Sequence, residues 1–142
     1  MKFCRINLSK TNYQCYSPST LWSEQIEFAQ LNQIYQQYCQ HKKFVSAMPI
    51  FEGQLRNPDS DVHVYYYNSE IVAWSLCCRY DKHNVESVQF AWNYQQPELK
   101  LGLRSIEHEC AYYKQLGYHY LYLGNVAEYK TQFDGYEQLG IL

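Results

Sequence analysis

The chain has 142 residues, 46% of them hydrophobic and 18% charged, and its 12 basic and 14 acidic residues leave a net charge of −2. That length is expected to form one domain, residues 1–142, and leaves no room for two. The apolar fraction excludes a disordered chain, and the acidic balance excludes a generally basic nucleic-acid binder, so any contact with nucleic acid must come from a local patch.

Sixteen residues are tyrosine, each able to bury a ring while its hydroxyl seeks a partner. Six cysteines stand at positions 4, 15, 39, 77, 78 and 110 with no CxxC pair. No run of 18 apolar residues occurs, and Met1-Lys2-Phe3-Cys4-Arg5 lacks the apolar stretch of a leader, so reduced thiols in a cytoplasmic protein without a membrane partner are expected. Cys77 and Cys78 point to opposite faces of a strand, and Cys39 and His41 are two apart on a helix, so no metal site is expected.

A short strand is predicted at residues 2–8, then a loop from Asn12 to Ser19. Ser17-Pro18 reads as a helix start, and Phe28, Leu31, Ile34, Tyr35 and Tyr38 recur at helical spacing, which predicts a helix over 19–42 with His41, Lys42 and Lys43 near its end. Residues 49–60 carry loop signals. The period then becomes two. Strands are predicted over 62–67, 71–80 and 85–94, the last with Val88, Phe90, Trp92 and Tyr94 on one face, and short polar turns join them into an antiparallel meander.

Leu103, Ile106, Cys110 and Tyr113 return to helical spacing over 102–116, with Gly117 as the stop. A strand over 118–124 follows, expected to lie parallel to the third meander strand through a right-handed crossover, and residues 125–133 are expected to form a short helix. The order β-α-β-β-β-α-β-α resembles the GNAT acyltransferase fold: α+β, a central mixed sheet with helices on both faces, and substrates entering where the last two long strands splay.

Four stretches resemble the C-terminal, catalytic half of the arginyl- and leucyl-tRNA–protein transferases, whose fold is GNAT-like. They are Ile34-Tyr35-Gln36-Gln37-Tyr38 through His41, Lys42 and Met48; Tyr80-Asp81 through Val88 to Trp92; Pro97 to Gly102 with its Leu101-Gly102; and Tyr120-Leu121-Tyr122-Leu123-Gly124 followed by Tyr129-Lys130-Thr131-Gln132-Phe133 and Glu137. Together they span about residues 34–140. The chain stops soon after the last match, as that family does. It lacks the family's Cys-rich N-terminal module, and its Asn125–Glu128 link is shorter.

The resemblance implies transfer of an amino acid from aminoacyl-tRNA to the N-terminal amine of a peptide or protein, with a homodimer allowed. Tyr129 and Lys130 match the family's Tyr-Lys segment, while Tyr136 matches, in a competing register, the tyrosine that protonates the departing thiolate in GNAT enzymes. Glu86 or Glu98 would help deprotonate the amine, and backbone N–H groups between Phe90 and Asn93 would face the tetrahedral intermediate. Phe90, Trp92, Leu101, Gly102, Tyr122, Gly124 and Asn125 would line the substrate site, with Lys100, Arg104 and Lys130 meeting phosphates. Tyr65 and Tyr67 could stack on an adenine or a peptide if they project into the cleft.

Two other readings stand beside this one. An acetyl-CoA-dependent N-acetyltransferase would need Gln/Arg-x-x-Gly-x-Gly/Ala before the main helix, whereas Gln95 to Gly102 holds one glycine and Glu98, which counts against coenzyme A. A catalytically silent module would keep the cleft to hold a peptide or nucleotide. No cofactor is expected outside the acetyl-CoA alternative.

Overall fold

Seven strands form one mixed sheet in a computed structural model that describes residues 2–43, 50 and 52–141. The strands are β1 (Lys2–Asn7), β2 (Ser19–Leu21), β3 (Ser60–Tyr67), β4 (Glu70–Arg79), β5 (Asn84–Trp92), β6 (Tyr120–Asn125) and β7 (Tyr136–Ile141). The helices are α1 (Phe28–Lys42), α2 (Glu52–Leu55) and α3 (Leu101–Gln115). Across the sheet the strands run β2-β3-β4-β5-β6-β1-β7, antiparallel throughout except for β5 and β6.

The two faces follow from strand alternation. Val62, Val64, Trp74 and Leu76 meet Leu31, Ile34 and Tyr35 of α1 on one face. On the other, Cys77, Val85 and Leu121 pack with Ile106, Cys110 and Tyr113 of α3. Trp74 is fully buried, and its Nε1–H donates to the Leu31 carbonyl at 2.9 Å, tying α1 to the sheet centre. Truncating such a ring costs about 3–5 kcal/mol. All six cysteines are unpaired thiols.

The meander and α3 stand within two residues of their expected bounds, and β5 and β6 are parallel as expected. The first helix does not start at Ser17-Pro18. Residues 19–21 instead form β2, an edge strand pairing Ser19 with Tyr65 and Leu21 with His63, and Trp22 N–H extends the ladder to the Val62 carbonyl. The helix begins after Glu27, whose N–H donates to Gln30 Oε1 at 3.0 Å. It ends at Lys43 in the left-handed conformation (φ 56°). Residues 52–55 of the expected loop are helical, and Met48 and Pro49 lie outside the described residues.

The expected helix over 125–133 is a 3-10 segment at Glu128–Gln132, and the chain then adds β7. β1 lies between β6 and β7, so residues from the two ends of the chain complete that side of the sheet.

Candidate functional site

β5 and β6 stay together for three pairs: Asn84 with Tyr120, Val85 with Leu121, and Glu86 with Tyr122. Beyond Glu86 the strands part. Two residues later β5 also breaks step with β4, because Leu76 pairs with Gln89 and Cys77 with Ser87, leaving Val88 as an unpaired bulge. The period-two reading put Val88 on one face with Phe90 and Trp92; the extra residue turns it out instead, 49% exposed.

Asn93 N–H donates to the Val72 carbonyl at 3.1 Å. Because an antiparallel ladder alternates, the amides of Phe90 and Trp92 turn the other way, toward the opened side, while that of Asn93 is consumed by β4. The opening is a cleft of about 680 Å³ whose floor carries Ser87, Phe90 and Ile106. The N-terminal turn of α3 closes one side through Leu101 and Gly102, where a Cβ on Gly102 would meet only the Phe90 ring, at 3.9 Å. Lys100 caps this helix in the left-handed conformation (φ 50°), its side chain making no cap bond while its carbonyl accepts from the N–H groups of Leu103 (3.1 Å) and Arg104 (3.0 Å).

Tyr129, Lys130 and Leu123 form the opposite wall. The Lys130 ammonium donates to the carbonyls of Leu123 (2.8 Å) and Asn125 (2.7 Å), fastening the 3-10 segment to the free end of β6. Tyr38 and Lys42 reach the cleft from α1. Burial raises the phenol pKa of both Tyr38 and Tyr129, each further raised by neighbouring groups, so both stay protonated at neutral pH. Beside Tyr38 an aromatic wall is built from His41 stacked on Tyr94 (centroids 3.6 Å apart) and Trp92 tilted against Tyr94 (4.2 Å).

Of the residues singled out in the sequence, Phe90, Trp92, Lys100, Leu101, Gly102, Tyr129 and Lys130 come together around this cleft. The others are placed elsewhere. Glu86 sits at the point of divergence, where its carboxylate accepts from the Tyr80 hydroxyl. Glu98 is on the exposed surface. The Arg104 guanidinium lies 5.1 Å above the Tyr16 ring. The Tyr122 hydroxyl accepts from Arg5, which also pairs with Glu137 at 2.8 Å. Gly124 and Asn125 end β6, their carbonyls turned to the Cys4 thiol. Tyr136 is on β7, with β1 between it and β6, and its hydroxyl is enclosed beside Cys4. Tyr65 is fully buried with its hydroxyl 2.8 Å from Ser75 Oγ, so it does not reach a ligand in the cleft.

Lys42, Ser87 and Val88 were not singled out as site residues. In the sequence Tyr38 marks only the first helix, and its place one turn before His41 and Lys42 is the available signal. Among the described residues no group of three His, Cys, Asp or Glu could hold a metal ion, and no helix is long and apolar enough to cross a membrane.

No protein-family model and no curated protein sequence matches the chain. Solved structures do. L-PGS from Bacillus licheniformis superposes with a TM-score of 0.66 at 13% identity, over 87% of this chain and 46% of that one. The DUF2156 C-terminal domain assigned to a lysylphosphatidylglycerol synthetase from Agrobacterium fabrum gives 0.64 at 11% identity, over 87% and 46%. The ribosomal-protein-S18-alanine N-acetyltransferase from Escherichia coli gives 0.57 at 16% identity, over 78% and 68%. The fold is GNAT-like. The chain spans about half the length of the first two structures, and at these identities the likeness is one of fold. The parting of β5 and β6 coincides with the bulge, the cleft and the start of α3.

Proposed function

We propose that the chain is an acyltransferase that joins an activated carbonyl to an amine in the β5–β6 cleft, with aminoacyl-tRNA as donor and the N-terminal amine of a peptide or protein as acceptor. The observation that carries this reading is the parting of two parallel strands immediately after Glu86 and Tyr122, beside an unpaired Val88. It leaves backbone donors on an open edge at the place where a carbonyl can enter. The amine attacks that carbonyl, and the oxyanion that forms is received by the amides of Phe90 and Trp92. Tyr129, protonated at neutral pH, gives its proton to the leaving oxygen and recovers one from the attacking nitrogen. Lys42 and Lys100 are the cleft cations for donor phosphate, since Lys130 is held by two carbonyls.

Support for an aminoacyl donor comes from two sides. The turn before α3 offers one glycine, a Lys in the left-handed position and an exposed Glu98, a poor cradle for pyrophosphate. The structure of TM-score 0.64 carries the name of a lysylphosphatidylglycerol synthetase, which supports an aminoacyl cargo here. One observation favours acetyl-CoA instead: the first residues of α3 face the cleft, and one structural neighbour is an aminoglycoside 6′-N-acetyltransferase complexed with coenzyme A.

The test is incubation of the folded protein with peptides of varied N-termini and either radiolabelled aminoacyl-tRNA (Lys, Arg or Leu) or radiolabelled acetyl-CoA. Label passing from aminoacyl-tRNA to the peptide is expected. Label passing only from acetyl-CoA would replace the donor. Peptide binding with no transfer from either would leave a silent binding module.

A further inference from the structure

Behind the cleft floor lies a carboxyl that the transfer scheme leaves unused. Glu109 on α3 is fully buried, and among the described residues its oxygens make no hydrogen bond of ordinary geometry, although the Ser75, Ser87 and Cys77 side chains lie against it. It sits one helical turn beyond Ser105 and Ile106, both of which line the cleft. Ser75 and Cys77 face it from β4, Ser87 from β5, Tyr65 from β3, and Cys110 and Tyr113 from its own helix. None of these is a cation, and burial raises every thiol and phenol among them, so they remain neutral while Glu109 titrates. Burial holds the Glu109 carboxyl up at about 7, with Ser75, Ser87 and Cys77 partly opposing it.

Ser87 belongs to both regions. It is the first residue of β5 past the last β5–β6 pair, it lines the cleft at its apex, and its hydroxyl lies against Glu109. We propose that Glu109 takes the proton of the acceptor ammonium through Ser87, leaving a neutral amine at the apex of the cleft. The inference rests on the acyl-transfer reading and deepens it. In the step, the ammonium N–H proton passes to Ser87 Oγ as the Ser87 hydroxyl proton passes to the Glu109 carboxylate. Ser87 ends unchanged, the nitrogen gains a free lone pair, and Glu109 becomes a neutral acid. After the product leaves, the same route returns the proton to water.

An outward-facing Glu could do this without a relay, but its carboxyl would titrate well below neutrality and would be a weak base at pH 7. A base matched to neutral pH needs burial, and a buried one needs a hydroxyl to reach the substrate. Glu109 and Ser87 supply one each.

The test uses Glu109→Gln, Ser87→Ala and two readouts. In transfer assays the wild-type kcat is expected to fall with decreasing pH below about 7, tenfold per unit. At pH 7 each variant should lose roughly a hundredfold in kcat with KM changed less than twofold, and regain rate as the pH approaches the pKa of the amine itself. A structural role alone would lower activity without moving the pH profile. Independently of any donor, carbon NMR of glutamate-labelled wild-type protein should show one carboxyl titrating near 7, absent from Glu109→Gln. Saturating glycinamide, a minimal N-terminal amine, should displace that titration downward, and Ser87→Ala should abolish the displacement. A Glu109→Gln kcat profile superimposable on wild type, or a Glu109 titration indifferent to glycinamide, overturns the proposal. If no donor supports transfer while glycinamide still moves the Glu109 titration through Ser87, acyl transfer fails and the proton relay stands.

Discussion

His108 Nε2 meets His63 Nδ1 at 3.3 Å between the sheet and α3, the two rings edge to face. The bonds on either side fix the direction of this one. Tyr16 N–H donates to His108 Nδ1 at 2.9 Å, which leaves the His108 proton on Nε2 and makes His63 Nδ1 the acceptor. His63 Nε2–H then donates to the Tyr113 hydroxyl (3.0 Å), which donates to Asp61 Oδ2 (2.7 Å), and Asp61 pairs with Arg79 at 3.1 Å. A second proton on either ring destroys an acceptor in this chain.

Acid stability follows with a definite sign. Burial lowers His63 to about 3, helped by the neighbouring His108, and lowers His108 to about 4, against 6.5 for a free ring. Their contribution is complete above about 6.5 and is lost as the pH falls toward those values. Glu109, at about 7 against 4.5, acts oppositely, losing stability as the pH rises from 4.5 through 7. Between pH 5 and 6, unfolding therefore takes up about two protons at the histidines and releases about one at Glu109. Wild-type stability should fall on acidification through this window, and that of Glu109→Gln about twice as steeply, since the histidine uptake is then unopposed. Denaturant unfolding at three pH values in this window measures both slopes; equal slopes contradict the assignment.

Two glycines with the same left-handed backbone should respond differently to alanine. Gly124 and Gly135 both have φ 75°, but a Cβ on Gly124 meets open space while one on Gly135 would collide with the Asn7 carbonyl oxygen. Gly124→Ala is expected to cost about 1–2 kcal/mol from conformation alone. Gly135→Ala should cost clearly more, because the β1 contact through Asn7 N–H and the Gly135 carbonyl (2.8 Å) must also shift. Chemical denaturation compares them, and equal losses would refute the close approach.

Lys130→Met keeps the aliphatic stem and deletes the two bonds to the Leu123 and Asn125 carbonyls. These carbonyls are partly solvated, so the expected loss is about 1–2 kcal/mol, at the low end for charged hydrogen bonds. Donor affinity should keep its salt dependence, since this ammonium is already engaged. A flattened salt slope in the variant, read by titration at several ionic strengths, would make Lys130 a phosphate contact after all.

The parts of the fold set by local repetition were legible. Val62 and Val64 announce a strand, and Leu103, Ile106, Cys110 and Tyr113 announce α3. β7 was not, because Tyr136–Ile141 becomes a strand through pairing with β1 at the other end of the chain. β2 is three residues held by backbone bonds to β3, which side-chain periodicity does not register. At the site, chain order located the cleft, but one extra residue at Val88 moved the break in β5 upstream of the expected Phe90–Asn93. Lys130 read as a phosphate contact, yet carbonyls five and seven residues away claim it. Glu109 looks in sequence like any helical acid, and only the packing of α3 on β4 and β5 shows it to be enclosed.

The most direct measurement is label transfer to an N-terminal amine by wild type and by Gly102→Trp, a change that places an indole in the cleft where a Cβ has only the Phe90 ring nearby, at 3.9 Å. The account predicts transfer by wild type and a loss of at least a hundredfold in the variant, with thermal stability held within a few degrees. Transfer that persists with the cleft filled would contradict it, and so would a folded wild type that moves no acyl group from either donor.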